Sequence, residues 1–437
     1  QKRKQRISVH ELEFQWLKYE KLSCQPESAS TQSHIVFPTG NNLTFNGNFL
    51  TIIVLLVRIL SEIFLCMITK TRSLLFSLVA IAFTGVAQEK ALEMKMDFES
   101  YDPPSTLVVP EHKLMRAKFP FIDIHNHYFD MNTADLSQRV KYMDELNMGV
   151  MVNLSGRGFR SAGDHLEKSF ENIRTHFPTR FVLFTNIDFT DIDNPEWQAR
   201  MMKQLEDDVR RGAKGLKIYK SLGLHNKDKN GKRIAIDDPR IDPIWDKCGE
   251  LGIPVLIHSA DPKPFWDPID SLNERWLELK LHPSRRYDSS FPSFEEVIAQ
   301  QHNVFKKHPK TKFINAHLGW YANDLQKLSA LLDEFPNMYT EIGAVIAELG
   351  RQPRAAKAFL TKYQDRVLFG KDSWVPEEYS TYFRVLETED EYFPYHKRYH
   401  AFWRMYGLGL PDEVLKKIYY KNALKLIPGI DPKTFPK

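Results

Sequence analysis

Cysteine is scarce in this chain of 437 residues, which contains only Cys24, Cys66 and Cys248. Three cysteines placed this far apart indicate neither a zinc–thiolate cluster nor a disulfide framework. Cys248 is the one candidate for a lone nucleophile, but it lies in a helix-like run over residues 242–252. A packed helical thiol is favoured there over a reactive one.

An excess of charge of one sign is also missing. The 60 basic residues face 56 acidic ones, which gives a formal net charge of +4. This balance gives no reason to expect nucleic acid or an anionic membrane surface as a partner. The composition, 42% hydrophobic and 27% charged, is that of a folded protein, and the length allows one large domain with extensions.

Long uninterrupted hydrophobic runs are absent. Polar and charged residues break the run over residues 50–65, so it is a poor membrane span. From Met67, two basic residues precede an apolar stretch over 74–86, and Gly85 and Ala87 provide a small-residue cleavage site before Gln88. This layout is typical of a secretory signal peptide.

These features predict the organisation of the first part of the chain. Residues 1–66 are interpreted as an upstream extension that is not normally made, residues 67–87 as a signal peptide and residues 88–118 as a lead-in to the folded domain. Export to a bacterial-type periplasm or cell envelope follows, without a stable membrane span in the mature form. An uncleaved anchor beginning near residue 50 is the alternative.

From residue 119 onward, short apolar runs alternate with amphipathic segments. The runs predicted as strands are residues 119–128, 149–154, 180–188, 213–220, 253–260, 312–319, 338–344 and 366–373. Helical patterns fill the gaps, including residues 194–212, where Asn194 is the predicted N-cap and Pro195 the first helical residue. Eight repeats predict an α/β fold, a (β/α)8 TIM-type barrel over residues 119–437, with a doubly wound open sheet as the alternative.

Two insertions follow predicted strands. Residues 261–293 come after strand 5, and the aromatic-rich residues 374–410 come after strand 8. Loops that follow barrel strands lie on the catalytic face, so both are predicted to act as lids over a pocket.

Histidine and aspartate close four of the apolar strands: His125 and His127 on strand 1, His258 on strand 5, His317 on strand 6 and Asp372 on strand 8. Residues two apart in a strand point to the same face, so the first pair can chelate one divalent ion. Buried imidazoles and carboxylates are costly unless they are paired or bound to metal. The set predicts a metal centre at the carboxyl ends of the strands.

This arrangement resembles the amidohydrolase superfamily. Residues 313–319 (FINAHLG) and 366–373 (RVLFGKDS) are similar to its amidohydrolase-2 branch, which includes aminocarboxymuconate semialdehyde decarboxylase, the resorcylate decarboxylases and hydrolases of lactones. The resemblance covers about residues 119–427 and departs at Lys371, where the branch usually has threonine. It implies catalytic roles for His317 and Asp372, and one divalent ion, zinc or alternatively manganese or iron, held by His125, His127, His258 and Asp372.

The resemblance implies a hydrolase that attacks a small, carboxylate-bearing substrate with metal-activated water. A non-oxidative decarboxylase with the same residues is the alternative. An inactive exported binding barrel is the alternative from another class, and the presence of His317 argues against it. The expected partner is a small molecule, and the sequence does not decide between a monomer and a homo-oligomer.

Further polar residues follow the strands. Lys217, at the end of strand 4, is a candidate bridge to a second metal or an ordinary strand-end lysine. Candidates for binding a substrate, each with a surface or capping role as the equal alternative, are Arg157, Arg160, His225, Glu274 and Arg351.

Overall fold

The computed structural model describes residues 57–58, 60–61, 95–158, 163–398, 400 and 402–436. The chain divides into two compact units, residues 1–97 and 98–437. The predicted signal peptide, nearly all of the predicted upstream extension, and Arg160 lie outside the described residues. Within the part that the structure describes, no helix combines the length and the apolar character needed to cross a membrane.

Parallel strands in chain order form the centre of the larger unit. They are β1 Phe121–Asn126, β2 Met148–Asn153, β3 Phe181–Leu183, β4 Thr185–Asn186, β5 Leu216–Ile218, β6 Val255–Ile257, β7 Phe313–Asn315, β8 Met338–Glu341 and β9 Val367–Leu368. Each pairs with its neighbour in the orders β1-β2-β3 and β4 to β9. All eight predicted strands are present; β2 has the predicted six residues but begins one residue earlier, and the others are shorter than predicted.

The third predicted strand, residues 180–188, is split into β3 and β4. The break falls at Phe184, whose ring packs so closely on Gly215 that a Cβ there would lie 2.3 Å from it. The chain bridges the break, because the Phe184 N–H still donates to Asn153 O of β2 at 3.0 Å. The local interruption therefore leaves the order of the strands intact.

Two backbone hydrogen bonds join the last strand region to the first. The Ile124 N–H donates to Phe369 O at 3.0 Å, and the Asp372 N–H donates to His125 O at 2.7 Å. These bonds link the two ends of the sheet. The predicted (β/α)8 barrel is confirmed.

Helices alternate with the strands. Their bounds are Ser137–Leu146, His165–His176, Trp197–Arg211, Ser221–Leu224, Asp242–Glu250, Phe294–Lys307, Leu325–Glu334, Ile346–Arg351, Pro353–Lys362, Asp412–Lys416 and Asn422–Leu426. One boundary corrects the prediction: the helix expected to start at Pro195 begins at Trp197. The Asn194 side chain instead accepts the Glu196 N–H at 2.9 Å, which holds residues 194–196 in a turn.

Both predicted insertions carry short elements of their own. Residues 261–293 contain the helix Trp276–Leu281, and residues 374–410 contain the helix Tyr379–Glu387 and the paired strands β10 Phe393–Pro394 and β11 Arg404–Met405. The second insertion is anchored in the core, since the Phe383 ring lies 5.5 Å from that of Phe121 in β1. The second insertion is thus attached to the barrel by a buried aromatic contact.

Candidate metal centre

Three donor atoms converge where β1 and β9 end. Nε2 of the fully buried His125 lies 3.2 Å from Asp372 Oδ1, and Nε2 of His127 lies 3.8 Å from the same oxygen. These ligand atoms are all within 4.8 Å of one another. A divalent ion at about 2.0–2.2 Å from each donor fits a cluster of this size.

Hydrogen bonds fix the orientation of both imidazoles. His125 Nδ1 donates to Glu341 Oε1 at 2.9 Å, and His127 Nδ1 lies 2.8 Å from Ser155 Oγ. Because a carboxylate only accepts, His125 keeps its proton on Nδ1 and offers the lone pair of Nε2. Burial, reinforced by the Lys217 charge, lowers the pKa of His125 well below its usual range and that of His127 to about 4. Both rings are therefore neutral, as metal ligands must be.

Glu341 is a site residue that the sequence analysis missed. It is fully buried at the end of β8 and accepts hydrogen bonds from His125 Nδ1 at 2.9 Å and from the His317 N–H at 2.6 Å. Gly343 and Gly370 make room for its carboxylate. A Cβ at Gly343 would lie 2.6 Å from Glu341 Oε2, and a Cβ at Gly370 would lie 2.4 Å from it. The signal was present: an acid closes an apolar strand, as Asp372 does.

His317 and His258 present different nitrogens to the site. His317 Nδ1 donates to Gly343 O at 2.7 Å, and its buried Nε2 has no hydrogen-bond partner among the described residues. His258 Nε2 donates to Ala260 O at 3.0 Å, so its lone pair is on Nδ1. The two rings lie 4.4 Å apart. His258 is beside the centre but in neither group of clustered donors, which are His125–His127–Asp372 and His125–His317–Glu341.

Backbone conformation at this end of the barrel is unusual. Among the described residues, eight non-glycine residues have positive φ, and six of them follow β6, β7, β8 or β9: Ala260, His317, Leu318, Trp320, Ala344 and Asp372. Such conformations cost about 1–3 kcal/mol each and persist where surrounding contacts enforce them. Their concentration at the strand ends marks this mouth as the functional face.

Two charged groups complete the centre. Burial raises the pKa of Asp372, but its electrostatic interactions with the neighbouring His125, His317 and His127 side chains and with Lys217 outweigh that effect and hold the pKa at about 2. Lys217, buried at the end of β5, places Nζ 3.3 Å from His125 Nε2. Burial lowers its pKa to about 8, against the opposing effect of Asp372. Its position fits the predicted bridge to a second metal, which stays a prediction.

Lys371, the departure from the family pattern, directs its charge elsewhere. Its Nζ donates to Glu378 Oε2 at 2.6 Å and to Ser373 O at 2.9 Å. Its backbone N–H donates to Asp123 at 3.1 Å, and Asp123 also accepts the His125 N–H at 3.0 Å. The ammonium of Lys371 therefore neutralises Glu378, and the buried Asp123 carboxylate ties β1 to the end of β9.

Of the remaining candidates, Arg157, His225, Glu274 and Arg351 do not line the pocket beside the centre, and Arg160 lies outside the described residues. The Arg157 guanidinium binds the buried Asp208 through Nε at 2.7 Å and NH2 at 2.6 Å. Arg351 donates to Glu274, and the exposed His225 ring lies 5.5 Å from that of Phe291.

The interpretation of Cys248 agrees with the structure. The side chain is fully buried in the helix Asp242–Glu250, and burial raises the pKa of its thiol. A protonated, inaccessible thiol is not a nucleophile.

A pocket of about 260 Å³ opens onto the centre. His258, His317 and Asp372 lie on its barrel side. The first insertion contributes Phe265, Arg275, Glu278 and Arg285, and the second contributes Lys397 and His400. The prediction that both insertions act as lids over the pocket is confirmed.

The family model described as Amidohydrolase matches residues 122–429, a segment that contains every donor of the centre. The chain belongs to the amidohydrolase family. This is a family of enzymes, and the reaction differs from one member to another. No curated protein matches the sequence.

Solved structures similar to this amidohydrolase include decarboxylases. Dihydroxybenzoic acid decarboxylase from Polaromonas sp. JS666, solved with bound manganese and the inhibitor 2-nitroresorcinol, is 16% identical over 70% of this chain and 96% of its own, with a TM-score of 0.47. The 2,6-dihydroxybenzoate decarboxylase from Rhizobium is 15% identical over 70% of this chain and 98% of its own, with a TM-score of 0.43. A TIM-barrel protein from Bordetella bronchiseptica is 15% identical over 67% of this chain and 82% of its own, with a TM-score of 0.43.

Proposed function

We propose that this amidohydrolase is a metal-dependent hydrolase that acts on a small, carboxylate-bearing substrate with an ester, lactone or amide bond. The observation that carries the proposal is the convergence of His125 Nε2, His127 Nε2 and Asp372 Oδ1 on one point beside the pocket. Zinc is the proposed ion, with manganese or iron as alternatives, because mixed imidazole and carboxylate donors suit all three. His258 is proposed as a fourth ligand through Nδ1.

The residues divide the work by position. A bound divalent ion would polarise a substrate carbonyl and lower the pKa of a coordinated water to about 7. Asp372 holds the ion and accepts a proton on its carboxylate. His317, fixed by its Nδ1 bond to Gly343 O, offers its unpartnered Nε2 to the reacting group. Glu341 and Ser155 keep the two ligand rings aligned.

Non-oxidative decarboxylation is the second candidate. It needs a proton donor that is shielded from bulk water and placed beside the carbon that loses CO2. His317 is 0% exposed, and its Nε2 has no hydrogen-bond partner among the described residues. Nε2 must first accept a proton, which makes the ring an imidazolium, and its buried position then serves delivery of that proton to carbon as well as to a leaving group.

The test is a metal analysis and a reaction panel on the same preparation of the full chain. We expect about one equivalent of a first-row divalent ion and acid release from lactones or esters. Two equivalents would make Lys217 a bridging ligand. Carbon dioxide release from hydroxybenzoates without ester hydrolysis would replace the proposal by the decarboxylase. Full activity without metal would refute the mechanism, and bound metal without either reaction would favour the binding barrel.

A further inference from the structure

Cationic side chains surround the pocket beside the metal centre. Those that line it are Lys220, Arg275, Arg285 and Lys397. A positive charge at a pocket wall serves either to balance an acidic neighbour or to receive an anionic ligand. The partners of each side chain distinguish the two roles.

Three of the four are balanced by acids of the protein. Lys220 Nζ lies 2.8 and 2.6 Å from the two carboxylate oxygens of Asp261. Arg285 donates to Glu278 at 2.6 Å. The buried Arg275 donates to Glu348 and, at 3.2 Å, to Glu278. Because their charges are already balanced by acids of the protein, these three side chains have little positive charge to offer an anionic ligand.

Lys397 differs from the other three. It is half-buried, and among the described residues its ammonium has no hydrogen bond or ion pair within 4 Å. The neighbouring acid Glu378 already binds Lys371 at 2.6 Å and faces His396 Nε2 at 3.5 Å, and it interacts with Lys397 more weakly than with either of them. A half-buried cation whose neighbouring acid is already paired with other groups loses solvation and gains little from the protein in return. An anion that enters the pocket would supply the missing partner.

We infer that Lys397 is the specificity residue that binds the substrate carboxylate. It belongs to the second insertion, whereas His258, His317 and Asp372 line the same pocket from the barrel. A substrate anchored to Lys397 by its carboxylate would place its other end toward the metal centre. The inference rests on the proposed function only for the presence of that carboxylate. Arg157 and Arg351 do not serve, because acids already occupy them.

The test compares benzoate with benzamide, an uncharged molecule of the same shape. Binding is measured by calorimetry on the full chain after its metal has been removed, so that no carboxylate can bind an ion. Lys397→Met removes the charge and keeps the length of the side chain, and Lys397→Arg restores the charge. Lys306→Met, on the exposed face of the helix Phe294–Lys307, is the matched control with the same loss of charge.

We expect the wild type to prefer benzoate to benzamide, and Lys397→Met to weaken benzoate binding by about tenfold, the usual value of a hydrogen bond to a charged group. Lys397→Arg should retain the preference, and Lys306→Met should not change it. No preference in the wild type, or equal benzoate binding in Lys397→Met, would overturn the inference. If Lys397→Met loses the preference for benzoate but the wild type shows no metal-dependent hydrolysis, the anion site is supported and the proposed function is rejected.

Discussion

At the scale of single residues, the Nδ1 atoms decide what the metal centre can do. Glu341 fixes the tautomer of His125, and a carbonyl of Gly343 fixes that of His317. An imidazole whose Nδ1 proton is held in this way presents Nε2 as a lone pair. The orientation of the donors is thus built into the protein before any ion binds.

Glu341→Gln tests this orienting role. The amide keeps the size of the side chain but loses the charge that holds the His125 Nδ1–H, and it adds NH2 donors beside the Gly343 N–H. We expect a 10- to 100-fold weaker affinity for the ion, the usual cost of losing such an orienting partner. Competition with a fluorescent zinc chelator measures it. Unchanged affinity would show that the Glu341 charge is not needed to orient His125.

His258 and His317 are separated by a second comparison. His258→Ala should lower metal content and activity together if His258 is a ligand. His317→Asn should retain the metal and lower turnover by about 10²- to 10⁴-fold, the usual contribution of a positioned acid–base group. Metal analysis and kinetics on the same preparations decide the matter. Equal metal loss in both variants would move His317 into the ligand set, as its place in the His125–His317–Glu341 group allows.

At the scale of elements, strand periodicity was sufficient to predict the barrel, and residues at strand ends were sufficient to find the clustered donors His125, His127 and Asp372 but not Glu341. The break at Phe184 could not be predicted, because it depends on the contact of its ring with Gly215 on the next strand. Side-chain pairing was equally inaccessible. Arg157 follows a strand as a substrate-binding residue would, yet its partner Asp208 lies 51 positions further along the chain.

Arg157→Met should therefore affect stability more than substrate binding. Among the described residues, it leaves the Asp208 carboxylate, which is 0% exposed, with Thr185 Oγ1 as its one remaining side-chain donor, at 2.5 Å. Loss of one partner of a buried ion pair costs about 3–5 kcal/mol, whereas KM should stay near the wild-type value. Denaturant unfolding and kinetics measure the two effects.

Arg210→Met is the matched control, on the helix Trp197–Arg211 that also carries Asp208. Its side chain is 76% exposed in its ion pair with Asp207, so the free energy of unfolding should change by less than about 1 kcal/mol. An unchanged stability and a raised KM in Arg157→Met would return Arg157 to the substrate site.

At the scale of the whole molecule, the metal centre lies at the seam of the barrel, the line along which the first and last strand regions meet. His125 and His127 belong to the first strand region, and Asp372 follows the last strand. The Asp372 N–H already donates to His125 O across this seam at 2.7 Å. An ion held by both sides would therefore stabilise the closed barrel as well as supply chemistry, since it binds the folded chain and not the separated strands.

Metal removal should consequently lower the melting temperature. With free ion about 1,000-fold above its Kd, binding stabilises the folded state by about 4 kcal/mol, and that increment disappears when the ion is stripped. Calorimetry of the full chain at several zinc concentrations should show Tm rising with the logarithm of the concentration above Kd. His127→Ala is the control, because without this donor its Tm should respond much less to zinc. A wild-type Tm independent of zinc would show that His125 and Asp372 close the barrel through hydrogen bonds alone.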